Sequence, residues 1–154
     1  MIPFLGEYRY AVDEKGRVNV PAKFRDILKK MDEEQQLVLT KGFDSCLYLF
    51  PIASWERFQE QLSNDEMQAE GVARYFERLF VRGGSVLSPD AQGRIPLTSE
   101  QRAWAQISKE VIVFGNNRKM ELWSPAVFEK YMNEGEGSDQ SVEQMAKQYF
   151  RKHF

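Results

Sequence analysis

The 154 residues, 42% hydrophobic and 29% charged, suffice to bury a core as one compact domain or two small intertwined halves, and no run of about 18 apolar residues offers a membrane span. A net charge of −2 excludes the strongly basic kind of general nucleic-acid binder, although residues 1–30 carry seven basic residues against four acidic ones. The single cysteine, Cys46, cannot form an internal disulfide and lies in an apolar run that suits a buried thiol. The start at Met1, Ile2, Pro3 lacks the basic and apolar regions of a signal peptide, which gives a cytoplasmic expectation.

Along the chain, Tyr8, Tyr10 and Val12 alternate with Arg9 and Ala11, the period of a half-buried strand. The strand runs into Asp13, Glu14, Lys15, Gly16, Arg17. Here the Asp carboxylate is placed to accept from nearby backbone N–H groups, and Gly16 supplies the positive φ of a short loop. Residues 18–20 form a short return strand. Pro21 suits a helix start, with Phe24, Ile27 and Leu28 on one face and Lys23, Arg25 and Lys29 outward. Residues 37–40 and 46–50 read as a hairpin across Lys41, Gly42, Phe43 and Asp44, stopped by Pro51. Trp55, Phe58 and Leu62, then Val72, Tyr75, Phe76 and Leu79, predict two helices, ended by Gly83 and Gly84.

The loop is then written again, as Asp90, Ala91, Gln92, Gly93, Arg94. At the same offset Val18 matches Ile95, Val20 matches Leu97 and Arg25 matches Arg102. Farther on, Leu37, Val38, Leu39 match Val111, Ile112, Val113, while Leu49, Phe50 and Trp55 match Leu122, Trp123 and Phe128. Thr98 and Gln101 form a capping-box pattern, and Trp104 takes the place of Ile27. Strands 111–114 and 120–123 are joined by Gly115, Asn116 and Asn117, a source of positive φ. Residues 135–139 read as a flexible link to a last helix carrying Val142, Met145, Ala146 and Tyr149. A strand pair and a short helix cannot bury both apolar faces alone, whereas two copies can if their strands interlock.

Two arginines at equivalent turns, related by an approximate twofold axis, would project from one face. That geometry suits a two-stranded ribbon in a major groove, where Arg donates bidentately to guanine O6 and N7. Lys15 and Gln92 are candidates for added phosphate or base contacts, and closely spaced G·C pairs would be preferred. Asp13 with Arg17, and Asp90 with Arg94, equally suit simple stiffening of two hairpins. Lys23, Arg25, Lys29 and Lys30 fit a solvated helix face as well as a phosphate track, and Trp55, Trp104, Trp123 and Phe128 sit at core periods. Enzymatic readings find little support. The one histidine, His153, is near the end of the chain, and no zinc, dinucleotide or phosphate-loop spacing appears. Lys15, Arg17 and Arg94 would keep an Asp13 and Asp90 pair ionised rather than acidic. No enzyme activity, cofactor, metal or small-molecule substrate is expected.

Phe4, Leu5, Gly6, Glu7 and Tyr8, then residues 13–20 and 21–28, resemble the first motif of the MraZ family of bacterial transcriptional regulators. Residues 90–97, Arg102, Ala105, residues 109–113, and Glu121, Leu122 and Trp123 resemble its second, so the likeness spans residues 4 to about 131. The resemblance implies an α+β fold in which two AbrB-like (SpoVT-AbrB) repeats form a pseudo-twofold, swapped-hairpin, double-split β-barrel with short peripheral helices. The first repeat is expected at 5–52, connecting helices at 53–82, the second repeat at 83–126 and a C-terminal helical tail at 127–154, with both repeats in one globular domain. It further implies a cytoplasmic, nucleoid-associated regulator that binds double-stranded DNA at G-rich direct repeats before its own division and cell-wall operon and usually represses it. The family assembles as a ring-shaped homo-oligomer, and its paired motif falls on Asp13 and Arg17 and on Asp90 and Arg94, with the arginines as the expected DNA contacts. A ring would let an acidic chain gain affinity through avidity. Two departures stand out: Thr98 replaces a usual Pro, and Pro96 lacks the N–H of a strand residue, which predicts a distorted or edge strand. An alternative reading is an antitoxin-like or scaffold module whose helix at 141–150 docks a partner, and a further one is a helper to a neighbouring methyltransferase.

Overall fold

The computed structural model describes residues 2–33, 36–62 and 71–137. Residues up to Ser124 form one compact unit, and Pro125 begins a second. The first strand, β1 (Phe4–Ala11), is longer than its alternating core: Phe4, Tyr8 and Tyr10 face the core while Leu5, Glu7 and Arg9 are exposed. After the Asp13 loop come β2 (Arg17–Asn19) and α1 (Ala22–Lys30), in which Phe24, Ile27 and Leu28 are buried at the spacing of one helix face. The hairpin β3 (Leu37–Lys41) and β4 (Leu47–Pro51) follows, then α2 (Ile52–Leu62) and α3 (Val72–Arg82). The second copy repeats the order: β5 (Ser85–Leu87), β6 (Arg94–Pro96), α4 (Ser99–Ala105), and the hairpin β7 (Glu110–Asn117) and β8 (Lys119–Trp123).

Strand order reveals how the copies depend on each other. The six-stranded antiparallel sheet runs β1-β7-β8-β4-β3-β5, and β2 pairs with β6 in a separate ribbon. The first strand of each repeat therefore lies against the hairpin of the other, β1 on β7 and β5 on β3. The order reads the same from either edge, so a pseudo-twofold axis passes between β8 and β4. Val18 faces Ile95 at the centre of the ribbon, both buried, and the ribbon belongs half to each repeat.

Pro96 fits this ribbon for a reason of parity. Val20 N donates to the Gly93 carbonyl at 2.8 Å and Leu97 N to the Gly16 carbonyl at 3.0 Å, so the hydrogen-bonded positions alternate through Val18 and Ile95. Pro96 stands opposite Arg17 at the intervening position, where a ladder N–H is not used. Its missing donor costs the ribbon nothing.

One face of the sheet carries the main core, where Leu37, Leu39, Leu47, Leu49, Val111, Val113, Met120 and Leu122 meet α1, the ribbon and Ala105. The other face is covered by aromatic rings: Phe50 stacks on Phe58 at 5.1 Å, Phe58 meets Phe80 edge-on at 5.0 Å, and Tyr48 stacks on Phe80. With both faces covered, β4 reads as a continuous apolar run rather than an alternating one, and in β8 residues 120–123 are all buried, Glu121 among them.

Several expectations change. Gly115 is not a turn residue: it lies inside β7, directly opposite Gly6, and the turn is Asn117 and Arg118 with Asn117 at φ 65°. A Cβ on Gly115 would sit 2.7 Å from Phe24 Cζ, Leu5 N and the Phe4 carbonyl carbon. The glycine is there so that Phe24 can seat on the strand, between Phe4 and Tyr8 in edge-on contacts of 5.4 and 5.3 Å. Arg25 does not stay outward but folds back, its Nε donating to the Val20 carbonyl at 3.1 Å. Trp104 is half-buried, its Nε1 donating to the Cys46 carbonyl at 3.1 Å. Tyr75 is 63% exposed rather than inward. The helix of the second unit, α5 (Pro125–Gly137), continues through Gly135, where the sequence suggests a link. The helix expected at 141–150, and His153, lie outside the described residues. Cys46 is buried, as expected, and burial pushes its thiol well above the usual range. No helix among the described residues is long and apolar enough to cross a membrane.

Candidate nucleic-acid interface

The two five-residue loops close in the same way, atom for atom. Gly16 and Gly93 take φ of 75° and 78°, a region that costs other residues strain. The Asp13 Oδ1 accepts from Lys15 N at 2.9 Å and Arg17 N at 2.8 Å; Asp90 Oδ1 accepts from Gln92 N and Arg94 N, each at 2.9 Å. The second oxygen of each carboxylate turns to the arginine, with Arg17 Nε on Asp13 Oδ2 at 2.7 Å and Arg94 Nε on Asp90 Oδ2 at 3.0 Å. One carboxylate thus shapes the loop with one oxygen and aims a guanidinium with the other.

Because the β2–β6 ribbon is shared, the loops meet. Arg17 Nη1 lies 3.8 Å from Asp90 Oδ2, and Arg94 Nη1 lies 3.6 Å from Asp13 Oδ2. Two aspartates and two arginines, each 28–31% exposed at the side chain, form one cluster of zero net charge across the pseudo-twofold. Both carboxyls are held below the usual range, first by the backbone N–H of Arg17 or Arg94 and then by further hydrogen bonds, partly offset by burial. The loop backbone, more than the neighbouring cations expected from the sequence, keeps them ionised. Gln92 accepts from Arg94 Nη2 through its Oε1 at 3.1 Å, and Lys15 is exposed beside Arg17. Among the described residues no group of three or more His, Cys, Asp or Glu is placed to hold a metal ion.

A family model described as MraZ protein, putative antitoxin-like, matches residues 3–79 and again 80–149. The chain belongs to the MraZ family. Its relatives include the proteins named transcriptional regulator MraZ of Caldanaerobacter subterraneus subsp. tengcongensis, 37% identical over 142 residues (92% of this chain, 93% of that protein), and of Natranaerobius thermophilus, 35% over 139 residues (90% and 93%). That of Halothermothrix orenii is 34% identical over 139 residues, again 90% and 93%. The two stretches matched by the MraZ model divide between residues 79 and 80, in the last turn of α3, which separates the two structural copies.

In this MraZ chain the site also includes Arg25, which fits a solvated helix face by sequence, and its repeat mate Arg102. The Arg25 side chain lies over Gly93, and the Arg102 side chain lies over Gly16. Their signal was present in the sequence: they match at the repeat offset, each following its own glycine at the same spacing. What the sequence did not reveal is that each arginine covers the glycine of the other copy.

Proposed function

We propose that the chain is a DNA-binding transcriptional regulator whose reading heads are Arg17 and Arg94, acting on closely spaced G·C pairs in a major groove. The observation that carries this is the meeting of two equivalent, carboxylate-oriented guanidiniums on one shared ribbon. Each Asp engages the Nε of its own arginine; the Nη groups, which meet the opposite Asp at 3.6–3.8 Å and, for Arg94 Nη2, Gln92 Oε1 at 3.1 Å, are the edge that would exchange those contacts for a guanine. The names of the relatives agree with this reading and not with an enzyme.

A cluster of zero net charge contributes selectivity more than affinity, so phosphate contacts fall to outlying groups, Lys15 first and Gln92 as a neutral donor. The affinity of one subunit is then modest, which fits assembly as a ring-shaped homo-oligomer on G-rich direct repeats, and repression of the chain's own operon from such a site. The palindromic strand order supports a swapped-hairpin barrel that joins 5–52 and 83–126 in one domain, with 53–82 as connector and 127–154 appended. A cytoplasmic protein at the nucleoid follows from that role.

The test is binding to the DNA upstream of the gene, at two salt concentrations, by wild type, Arg17→Ala and Arg94→Ala. Each variant loses about 1–3 kcal/mol of discrimination per contact and retains its fold. Wild-type binding by both variants would refute the assignment.

An antitoxin-like or scaffold role is favoured by two observations. These are the family description and the exposed Ile2 and Leu5, which line a 370 Å³ cleft with Lys23 and Ile27. Co-purification of a stoichiometric protein, with no salt-dependent retention on DNA, would support it over the first reading.

A further inference from the structure

We infer that Arg25 and Arg102 are crossed positioning residues: each lies on the helix of one repeat and holds the loop that aims the reading arginine of the other. This rests on the reading of Arg17 and Arg94 as DNA contacts. The interactions on the Arg25 side form a closed circuit. The Gly93 carbonyl accepts from Val20 N at 2.8 Å, the Val20 carbonyl accepts from Arg25 Nε at 3.1 Å, and the Arg25 side chain lies back over Gly93. A Cβ on Gly93 would meet Arg25 Cδ and Nε at 2.6 Å and Cζ at 2.7 Å. Gly93 is therefore required twice, once for its φ of 78° and once because a guanidinium stem occupies the place of a side chain.

The twofold mate repeats the packing over the glycine but not the side-chain tie to a carbonyl. The Gly16 carbonyl accepts from Leu97 N at 3.0 Å, and Arg102 Cζ and Nε lie 3.1 Å from where a Gly16 Cβ would be. Arg102 Nε is buried with no hydrogen-bond partner. The Arg102 guanidinium is thus held against the loop by packing, where Arg25 is also tied to a carbonyl. Gly16 and Gly93 are buried, and each immediately precedes its reading arginine. Movement of the glycine moves the arginine, so α1 controls Arg94 and α4 controls Arg17. Lysine cannot replace Arg25 here, because it has no Nε–H to reach Val20 while its stem covers Gly93.

The competing role is a direct phosphate contact, since Arg25 also lines an open 350 Å³ cleft with Lys29, Ser88 and Asp90. Two measurements on the full chain separate the roles, using Arg25→Lys, Arg25→Ala and Arg102→Ala, with Arg17→Ala as reference. The first is hydrogen exchange at the loop amides. With Arg25 altered, exchange should quicken at Gly93 and Arg94, which donate to Asp90, and stay at the wild-type rate at Gly16 and Arg17; Arg102→Ala should do the reverse. Equal acceleration at both loops, as from a general loss of stability, or acceleration at neither, would overturn the proposal. The second is DNA binding: both Arg25 variants should lose about tenfold in discrimination between the upstream site and a scrambled duplex, with the salt dependence unchanged. Restored binding in Arg25→Lys, with a salt slope lowered by about one in Arg25→Ala, would make Arg25 a phosphate contact and overturn the positioning role. If Arg17→Ala binds as wild type, the DNA reading fails, and with it the aiming role, while the exchange data still decide the crossed bracing of the loops.

Discussion

Replacing Gly115 by Ala tests how α1 is seated. The new Cβ would lie 2.7 Å from the Phe4 carbonyl carbon, Leu5 N and Phe24 Cζ, about 0.7 Å inside the 3.4 Å at which ordinary contact begins. Two of those atoms are backbone of β1, paired to β7 along its length, and cannot rotate away. The third is the tip of a ring wedged between Phe4 and Tyr8. Overpacking of this kind costs about 1–3 kcal/mol, and the alanine recovers about 0.5 kcal/mol through the lower entropy of its unfolded chain. A net loss of about 1.5 kcal/mol lowers the melting temperature by roughly 3–6 °C for a chain of this size. Urea and thermal unfolding at one protein concentration measure it, since assembly would otherwise shift the midpoint. Adding Phe24→Leu relieves only the ring contact, so the double variant should be less destabilised than the sum of the singles, by about 1 kcal/mol. A Gly115→Ala protein within 0.5 kcal/mol of wild type, or strict additivity of the pair, would refute this account of the glycine.

Other outcomes follow from single contacts. Glu121 is buried and accepts from Trp123 Nε1 and Asn116 Nδ2, each at 2.9 Å; Glu121→Ala strands both donors and should cost about 1–3 kcal/mol in urea unfolding, with Glu121→Gln costing less. Thr98 Oγ1 accepts from Gln101 N at 3.0 Å while Gln101 Oε1 accepts from Thr98 N at 3.0 Å; Thr98→Ala should cost about 1 kcal/mol by the same assay. The carboxyls of Asp13 and Asp90 titrate lower in the folded chain than in the unfolded one. Their contribution is therefore complete above the unfolded value, near 3.9, and is lost as pH falls through the folded value. Carboxyl chemical shifts and the Arg17 and Arg94 amides should hold steady from pH 7 to about 5 and change only below about 4; loosening of the loops above pH 5 would contradict the geometry.

Chain-local chemistry is legible in the sequence. The Asp and Gly of each loop, the apolar face of Phe24, Ile27 and Leu28, and the Thr98 capping box depend on residues within one turn of each other. Hydrogen-bond reach and backbone preference suffice there, and the repeat offset paired Arg17 with Arg94. Gly115 and Arg25 were misread for the opposite reason. A glycine between apolar strands and an arginine on a polar helix face each have a sound local explanation, and the local explanation is incomplete.

The sequence by itself determined that there are two copies, what each copy folds into, and which side chain ends each loop, because period, turn chemistry and capping act over a few residues. Only the tertiary structure decided that β1 lies on the hairpin of the other copy, that Arg17 and Arg94 share one charge cluster, and that each loop glycine is covered by the arginine of the opposite helix. The physical reason is that half a ribbon cannot satisfy its own hydrogen bonds or bury its own apolar face. The partner each copy needs is some 77 residues away in the chain, beyond the reach of any local preference.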